Sequence, residues 1–362
     1  MSNSIPSYYL LLEERDKKEL QKDVWNDMTV PAYLKVGKKT YDIDISYRGA
    51  YTREFRKKSY WIDFITPRRF NGYREIHLNA EYKDPSLLRN KLSLDFFQDI
   101  GVLAPDSQHI NLTLNKSFKG VYLQLEAVDD LFLTKRGLPE GPIYYAVNNN
   151  ANFSLMRKNK LKDSLLLGYE QKIGNWSDDV YLESLIEKLN TTPQDEFPHV
   201  IVKHLNIDKY FRWLCGAVCT MNNDGFTHNY ALYRNSQTGL FEIIPWDYDA
   251  TWGRKVNGGT MPSDYVPFEG RHSNHLTGLL LEVPEFRKLY CAIMEEILET
   301  KFTIDYMENK IVSLHQTIRP YVLSDPYKKK DIEAFDGEPD FIFQFIRDRS
   351  SYLKIQLLKF EK

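Results

Sequence analysis

Residues 222–249 read NNDGFTHNYALYRNSQTGLFEIIPWDYD. The stretch follows FRWLCGAVCTM (211–221), an apolar run with helical spacing. It then offers two apolar segments, HNYALYR and LFEIIPWDYD, joined by a turn at Ser236–Gly239, which reads as a β-hairpin. A hairpin brings its two ends together. Asp224 and Asn229 enter at one end, and Asp247 and Asp249 leave at the other. Three carboxylates and an amide oxygen gathered in a small volume repel unless a cation neutralises them. Hard oxygen ligands suit Mg²⁺ or Mn²⁺, ions that commonly bridge carboxylates to nucleotide phosphates. Taken alone, an Asp-Gly after a helix is usually a cap and turn. The joint order and spacing of the four residues is what singles them out.

The spacing is that of a phosphoryl-transfer site. Asp224 and Asn229 are five positions apart, as in the kinase loop H-R-D-x-x-x-x-N, and Asp247 comes one hairpin later, where such enzymes hold a metal-binding Asp. Upstream elements appear in the same order. YLKVGKKTYDIDISYRG (33–49) and KKSYWIDFITP (57–67) alternate as half-buried strands. Between them lies a polar turn containing Arg48, Gly49 and Arg53. Lys57 and Lys58 open the second strand, and alternation sends one of them inward without deciding which. A helix opened by Asp84-Pro85-Ser86 is expected to run to Gly101. HINLTLN (109–115) and GVYLQLEAV (120–128) then form a hairpin turning at Lys116–Gly120 and ending at Glu126. The G-x-G-x-x-G turn, the His-Arg before Asp224 and the Gly after Asp-Tyr-Asp are missing.

Residues 136–176 are rich in Gly, Pro, Asn and Lys and read as a hinge and connecting segment. Beyond them helices are expected at 178–190, 207–221, 284–299, 303–320 and 338–360, with a long Gly-containing loop at 254–276. The chain is thus expected to be α+β and two-lobed: a strand-rich lobe over 1–126, a hinge region over 127–150, and a mostly helical lobe over 151–362.

Composition narrows the function classes. The 362 residues are 42% hydrophobic and 27% charged, ordinary for a globular chain that needs no disulfide or metal to fold. Lys+Arg 48 against Asp+Glu 50 gives a net charge of -2, which disfavours general nucleic-acid binding. The 14% aromatic share, with 24 Tyr and 20 Phe, suits a well-packed body. Cys215 and Cys219 sit on one face of an apolar helix and read as buried thiols. His272 and His275 lack the Glu of a zinc helix, and His228 lacks a nucleophilic partner. The N-terminus has no signal-peptide pattern, and no run of about 18 apolar residues suggests a membrane span.

The segments RGAYTREFRKKSYWIDF, REIHLNAEYKDPSLLRNKLSLDFF, GVYLQLEAVDD, DGFTHNYALYR and IPWDYDATWGR together resemble the CotH family of spore coat proteins from Bacillus-type spore formers. The resemblance covers essentially the whole chain. It implies an atypical protein-kinase-like fold and transfer of the ATP γ-phosphate to Ser-rich spore coat proteins during sporulation. It implies Asp224 as the catalytic Asp, Asn229 and Asp247 as metal ligands with Asp249 as a second carboxylate, and Lys58 or Lys57 on the phosphates. Arg48 and Arg53 would hold phosphate oxygens. Trp246, and Tyr144 or Tyr145 past the hinge strand ending at Glu126, would stack on adenine. Glu81, Asp84 and Asp95 are the acidic residues available to pair with the lysine. ATP and Mg²⁺ or Mn²⁺ are the implied cofactors, with no nucleic acid or membrane partner, and the protein would be made in the mother-cell cytoplasm and assembled into the coat. A non-catalytic assembly scaffold, or an AMP-transferring enzyme on the same fold, are the alternatives.

Overall fold

The computed structural model describes every residue except 1–3, 66, 68, 361 and 362. It is α+β. Seven strands close into a barrel: β1 (Ser7–Leu11), β2 (Val30–Val36), β3 (Lys39–Arg48), β4 (Ser59–Phe64), β5 (Glu75–Asn79), β6 (Ser107–Leu114) and β7 (Ser117–Glu126). The order is β1-β2-β3-β4-β5-β7-β6, and parallel pairing of β1 with β6 closes the ring. Helix α1 (Glu14–Lys22) links β1 to β2, and α2 (Arg89–Asp99) links β5 to β6.

Period-two alternation sets the barrel interior. Ile43, Ile45 and Tyr47 of β3 and Tyr60, Ile62 and Phe64 of β4 are buried in one apolar cluster with Leu10, Leu34, Leu78 and Leu112. The stretch 33–49, expected as one strand, is β2 and β3 folded back at Gly37, whose φ of +59° suits glycine. The strand expected over 57–67 runs from Ser59 to Phe64, and its Thr66 lies outside the described residues. Strand β5 was not anticipated. All five of its residues are buried, so it lacks the alternation that reveals a half-exposed strand.

Two turn expectations are corrected. Helix α2 begins at Arg89, not at Asp84. The Asp84 carboxylate accepts from the Ser86 and Arg89 amides at 2.9 and 3.0 Å, and Leu87 at φ +58° breaks the helical path. The β6–β7 hairpin turns at Asn115-Lys116, both with positive φ, rather than at Lys116–Gly120. Leu112 faces Gly120 and Thr113 faces Phe118, so Lys119 is the extra residue of a β-bulge. Gly120 is needed there, because a Cβ would lie 1.9 Å from Asp325 Oδ2.

After α3 (Asp130–Lys135) comes a second sheet, ordered β11-β8-β12-β13. Its strands are β8 (Ile143–Ala146), β11 (Tyr169–Ile173), β12 (Tyr230–Arg234) and β13 (Phe241–Pro245). A short pair, β9 (Met156–Arg157) and β10 (Lys160–Leu161), lies apart. The expected hairpin is the β12–β13 pair. Helices α4 (Asp179–Thr191), α5 (Phe197–Ile201), α6 (Ile207–Thr220), α7 (His275–Glu282), α8 (Pro284–Thr300), α9 (Ile304–Val322) and α10 (Ile332–Phe360) complete the chain. The last starts six residues before its expected position and carries Pro339 inside it. Cys215 and Cys219 are buried on α6, as expected.

The helical part also reaches back to the barrel. Ile318, Val322 and Phe335 pack on Ile5, Leu88 and Val121. Beneath them the Lys57 ammonium meets Asp325 at 3.2 Å, both side chains fully buried. Asp325 also accepts from the Val121 amide at 2.9 Å.

Candidate active site

The end of α6 and the two ends of the β12–β13 hairpin build the site. Helix α6 stops at Met221, in the left-handed region at φ +59°. The next residue, Asn222, is buried and accepts from the Asp224 and Gly225 amides at 2.9 and 2.8 Å. This local turn points Asp224 outward, while Phe226 is buried in the core and anchors the loop. A Cβ on Gly225 would lie 2.8 Å from the Tyr248 hydroxyl, so a larger residue would require the buried Tyr248 ring to shift.

Asn229 and Asp247 close the hairpin. Both take left-handed backbone angles, φ +59° and +60°. For residues with a side chain these angles cost free energy and mark a constrained site. The Asn229 amide nitrogen donates to the Asp247 carbonyl at 3.3 Å, and the Trp246 amide donates to the Asn229 carbonyl at 3.1 Å. Donation from Nδ2 leaves Asn229 Oδ1 as the acceptor end of that side chain. Asp247 is partly open to solvent. Burial raises its pKa, and Asp224 adds to this, while Arg48 and His228 act in the opposite direction. Burial, Asp247, Glu81 and Asp84 together push Asp249 well above the usual carboxylate range.

Glu81 completes the acidic group. It is buried, takes φ +45°, and accepts from Asn90 Nδ2 at 3.1 Å through Oε1, while its Oε2 is buried without a hydrogen-bond partner. Burial, with Asp84 and Asp247 nearby, raises its pKa to about 7. Arg48 faces this group from the end of β3, tied to Asn79, with its own pKa lowered by burial.

The donors here are all oxygens, with carboxylates that raise one another's pKa, the Asn229 amide oxygen and a buried Glu81 oxygen without a partner, a chemistry that suits a hard divalent cation. Among the described residues no group of three His, Cys, Asp or Glu side chains can hold a metal on its own. A cation here would need further oxygens from water or phosphate, which is how Mg²⁺ usually binds.

The aromatic candidates divide. The Tyr145 ring lies 5.4 Å from that of Trp246, and both border a cavity with His77, Leu125, Glu126, Val128 and Asp247. That cavity measures about 10 Å³, close to the minimum for one water and far too small for a nucleobase. Tyr145 fills the space by hydrogen-bonding both backbone groups of Val128: it accepts from the amide at 3.0 Å and donates to the carbonyl at 3.2 Å. The Trp246 indole nitrogen is buried without a partner. Tyr144 points the other way, into the core, with its hydroxyl accepting from Gln171 at 3.2 Å.

The remaining candidates have other partners. Lys57 is held by Asp325 and by the Val121 carbonyl at 2.5 Å, and burial lowers its pKa to about 8. Lys58, the residue before β4, borders the same cavity as Tyr60, donates to the Arg53 carbonyl and lies 5.7 Å from the Tyr47 ring. Arg53 turns to Asp27 at 2.5 Å and to the Gly49 carbonyl at 2.6 Å. Glu126 pairs with Arg136 at 2.7 Å and accepts from the Asp106 amide at 2.9 Å. Of the three acids near the first helix, Asp84 pairs with Arg89 at 2.5 Å and Asp95 with Lys91 at 2.6 Å. None of the three is the partner of Lys57. The structure therefore gathers Asp224, Asn229, Asp249, Arg48, Tyr145 and Trp246 around Asp247 and adds Glu81 and His77. It does not bring Lys57, Lys58, Arg53 or Tyr144 to the acidic floor, while Glu126, though paired with Arg136, borders the same small cavity as Asp247, Tyr145 and Trp246.

Comparison with known proteins gives the same direction. Residues 45–353 match the family described as CotH kinase protein. The chain is 54% identical over 357 residues to the inner spore coat protein H of Bacillus subtilis (strain 168), covering 98% of each chain. A second protein of that strain, the inner spore coat protein H-like protein, is 27% identical over 288 residues, covering 80% of this chain and 82% of its own. Among solved structures, the proinflammatory kinase CtkA of Helicobacter pylori overlays at TM-score 0.35 with 11% identity, covering 81% of this chain and 95% of its own. The HipA–HipB–operator DNA complex of Shewanella oneidensis MR-1 overlays at the same TM-score with 8% identity, covering 97% and 74%. A TM-score at this level assigns no fold.

Proposed function

The chain belongs to the CotH kinase protein family, and from that premise we propose that it is an atypical protein-serine kinase with a two-lobed, protein-kinase-like architecture. It transfers the ATP γ-phosphate to serines of Ser-rich spore coat proteins. Its role is in outer coat assembly, after synthesis in the mother-cell cytoplasm. The observation that carries the reading is the convergence of Asp224, Asn229 and Asp247 at one cleft, with Arg48 opposite the acids. Among the described residues, no helix is long and apolar enough to cross a membrane.

Phosphoryl transfer asks a protein mainly for positioning and charge compensation. Asn229 Oδ1 and the Asp247 carboxylate would hold a divalent metal, with Asp249 and Glu81 contributing negative charge around it. The metal, when bound, offsets charge on the phosphate oxygens. Asp224, exposed at the loop tip, accepts a hydrogen bond from the seryl hydroxyl and aims it in line. Arg48 supplies the positive charge that Lys57 and Lys58 do not bring to this face. Tyr145 and Trp246 would shift to admit the base, which then takes over the Val128 backbone groups.

Asp224→Asn should keep nucleotide binding, measured by calorimetry with Mg²⁺, yet lower turnover by orders of magnitude. Asp247→Ala should lose cation-dependent nucleotide binding. Substantial transfer by either variant removes the assignment.

A further inference from the structure

We propose that the open end of the barrel is a second binding site, specific for a phosphoryl dianion and separate from the acidic cleft. A cavity of about 280 Å³ opens there, between the ends of β3, β4, β6 and β7, helix α1, and the connection from α9 to α10. That is far above the roughly 10–15 Å³ a single water needs, and it leaves room for a phosphate group.

Its lining is one-sided in charge. Lys17, Arg56, Lys58 and Lys119 border it, and no carboxylate does. Four cations from three separate parts of the chain meet at one small space. Only two of them are neighbours in sequence: Arg56 and Lys58 both come from the β3–β4 connection, whereas Lys17 comes from α1 and Lys119 from the bulge of β7. The neighbouring acids leave the excess standing. Glu14 meets Lys17 at 3.2 Å from an exposed position, Glu54 lies near Lys58, and Asp325 is taken by Lys57 and two backbone amides. Repulsion is already felt: burial, and then Lys17, lower the pKa of Lys119.

The rest of the lining supplies neutral donors. Tyr47, Tyr60, Tyr122 and Tyr327 border the same space, with the Tyr47 and Tyr60 rings 5.7 Å apart and the Tyr60 and Tyr122 rings 6.2 Å apart. Burial raises the pKa of all four hydroxyls, so they remain protonated donors. Ammonium and guanidinium groups beside phenolic donors match the several acceptor oxygens and double charge of a phosphate monoester. A single carboxylate would leave most of these donors unused. Strand alternation keeps the site apart from the cleft: Tyr47 points into the barrel, while its neighbour Arg48 faces Asp247 on the other side. The site stands independently of the kinase reading.

The ligand is either a free anion or a phosphorylated residue of a protein, and calorimetry on the full chain at low ionic strength separates them. The probes are inorganic phosphate, a phosphoserine peptide and its unphosphorylated twin, each tested on wild type and on R56Q/K119Q. Arg56 is exposed and Lys119 half-buried, and a thermal melt confirms folding. Saturable binding of a phosphate-bearing probe, weakened at least tenfold in the variant, is expected. Tighter binding of the phosphopeptide than of inorganic phosphate assigns a protein-borne phosphate, and the reverse assigns a free anion. Absence of saturable binding of either, equal binding of the unphosphorylated peptide, or affinity unchanged in the variant overturns the proposal.

Discussion

Glu81→Gln should stabilise the metal-free protein, an unusual sign for a buried residue. One oxygen of the Glu81 carboxylate accepts from Asn90 and the other is buried without a well-aligned donor, the Asn79 amide being nearby, and the group lies close to Asp84, Asp247 and Asp249. Its pKa rises from 4.5 to about 7, burial first and the neighbouring acids next. At about 1.4 kcal/mol per unit, holding it ionised at pH 8 costs on the order of 3 kcal/mol. Glutamine keeps the shape and the acceptor for Asn90 and removes the charge. The sign follows from linkage. Between pH 4.5 and 7 the folded state binds more protons than the unfolded state, so wild-type stability falls as pH rises through that window. Glu81→Gln lacks this term. Urea denaturation at pH 8 without divalent cation should therefore show the variant more stable by about 1–3 kcal/mol, and the gap should close toward pH 4.5. Saturating Mg²⁺ or Mn²⁺ should close it too, by stabilising wild type more. A variant less stable than wild type at pH 8 would show that Glu81 is a structural acceptor and that the crowding argument is wrong.

Three further substitutions test other parts of the structure. Asp325→Ala leaves the buried Lys57 ammonium without its carboxylate and should cost about 3–5 kcal/mol in denaturant unfolding; a loss below 1 kcal/mol would mean the pair contributes little to holding α9 on the barrel. Gly120→Ala places a Cβ against Asp325 at a φ of +91°, so it should lower Tm, and an unchanged Tm would contradict the close approach. Tyr145→Phe frees the Val128 amide and carbonyl that a nucleobase must otherwise compete for. It should cost the nucleotide-free protein about 1 kcal/mol and tighten ATP binding severalfold; weaker binding in calorimetry would refute the idea that Tyr145 occupies the base position.

Much of the site could be read from the chain because it is local. Asp224, Asn229 and Asp247 lie within one helix end and one hairpin, and hairpin geometry joins them whatever the remaining fold. The half-exposed strands β3 and β4 declared themselves by alternation, whereas β5, buried along its whole length, gave no periodic signal. The lysines show where local reading ends. Alternation indicated that one of Lys57 and Lys58 points inward, but inward proved to mean the barrel, not the cleft. The partner of Lys57 is Asp325, 268 positions away, and no spacing rule could have found it. Glu81 was visible only as an acid near a helix. Its importance comes from the left-handed backbone and the orphaned oxygen, both products of tertiary packing.

The most direct test of the kinase reading is label transfer from ATP. Wild type and Asp247→Ala would each be incubated with Mg²⁺ or Mn²⁺, a Ser-rich peptide, and ATP carrying label at the α- or the γ-phosphate. Label reaching the peptide from the γ position only, with wild type only, is the expected result. Label from the α position would instead establish AMP transfer, and no label from either position, with ATP still bound, would contradict a catalytic role and leave the protein as a scaffold of the coat.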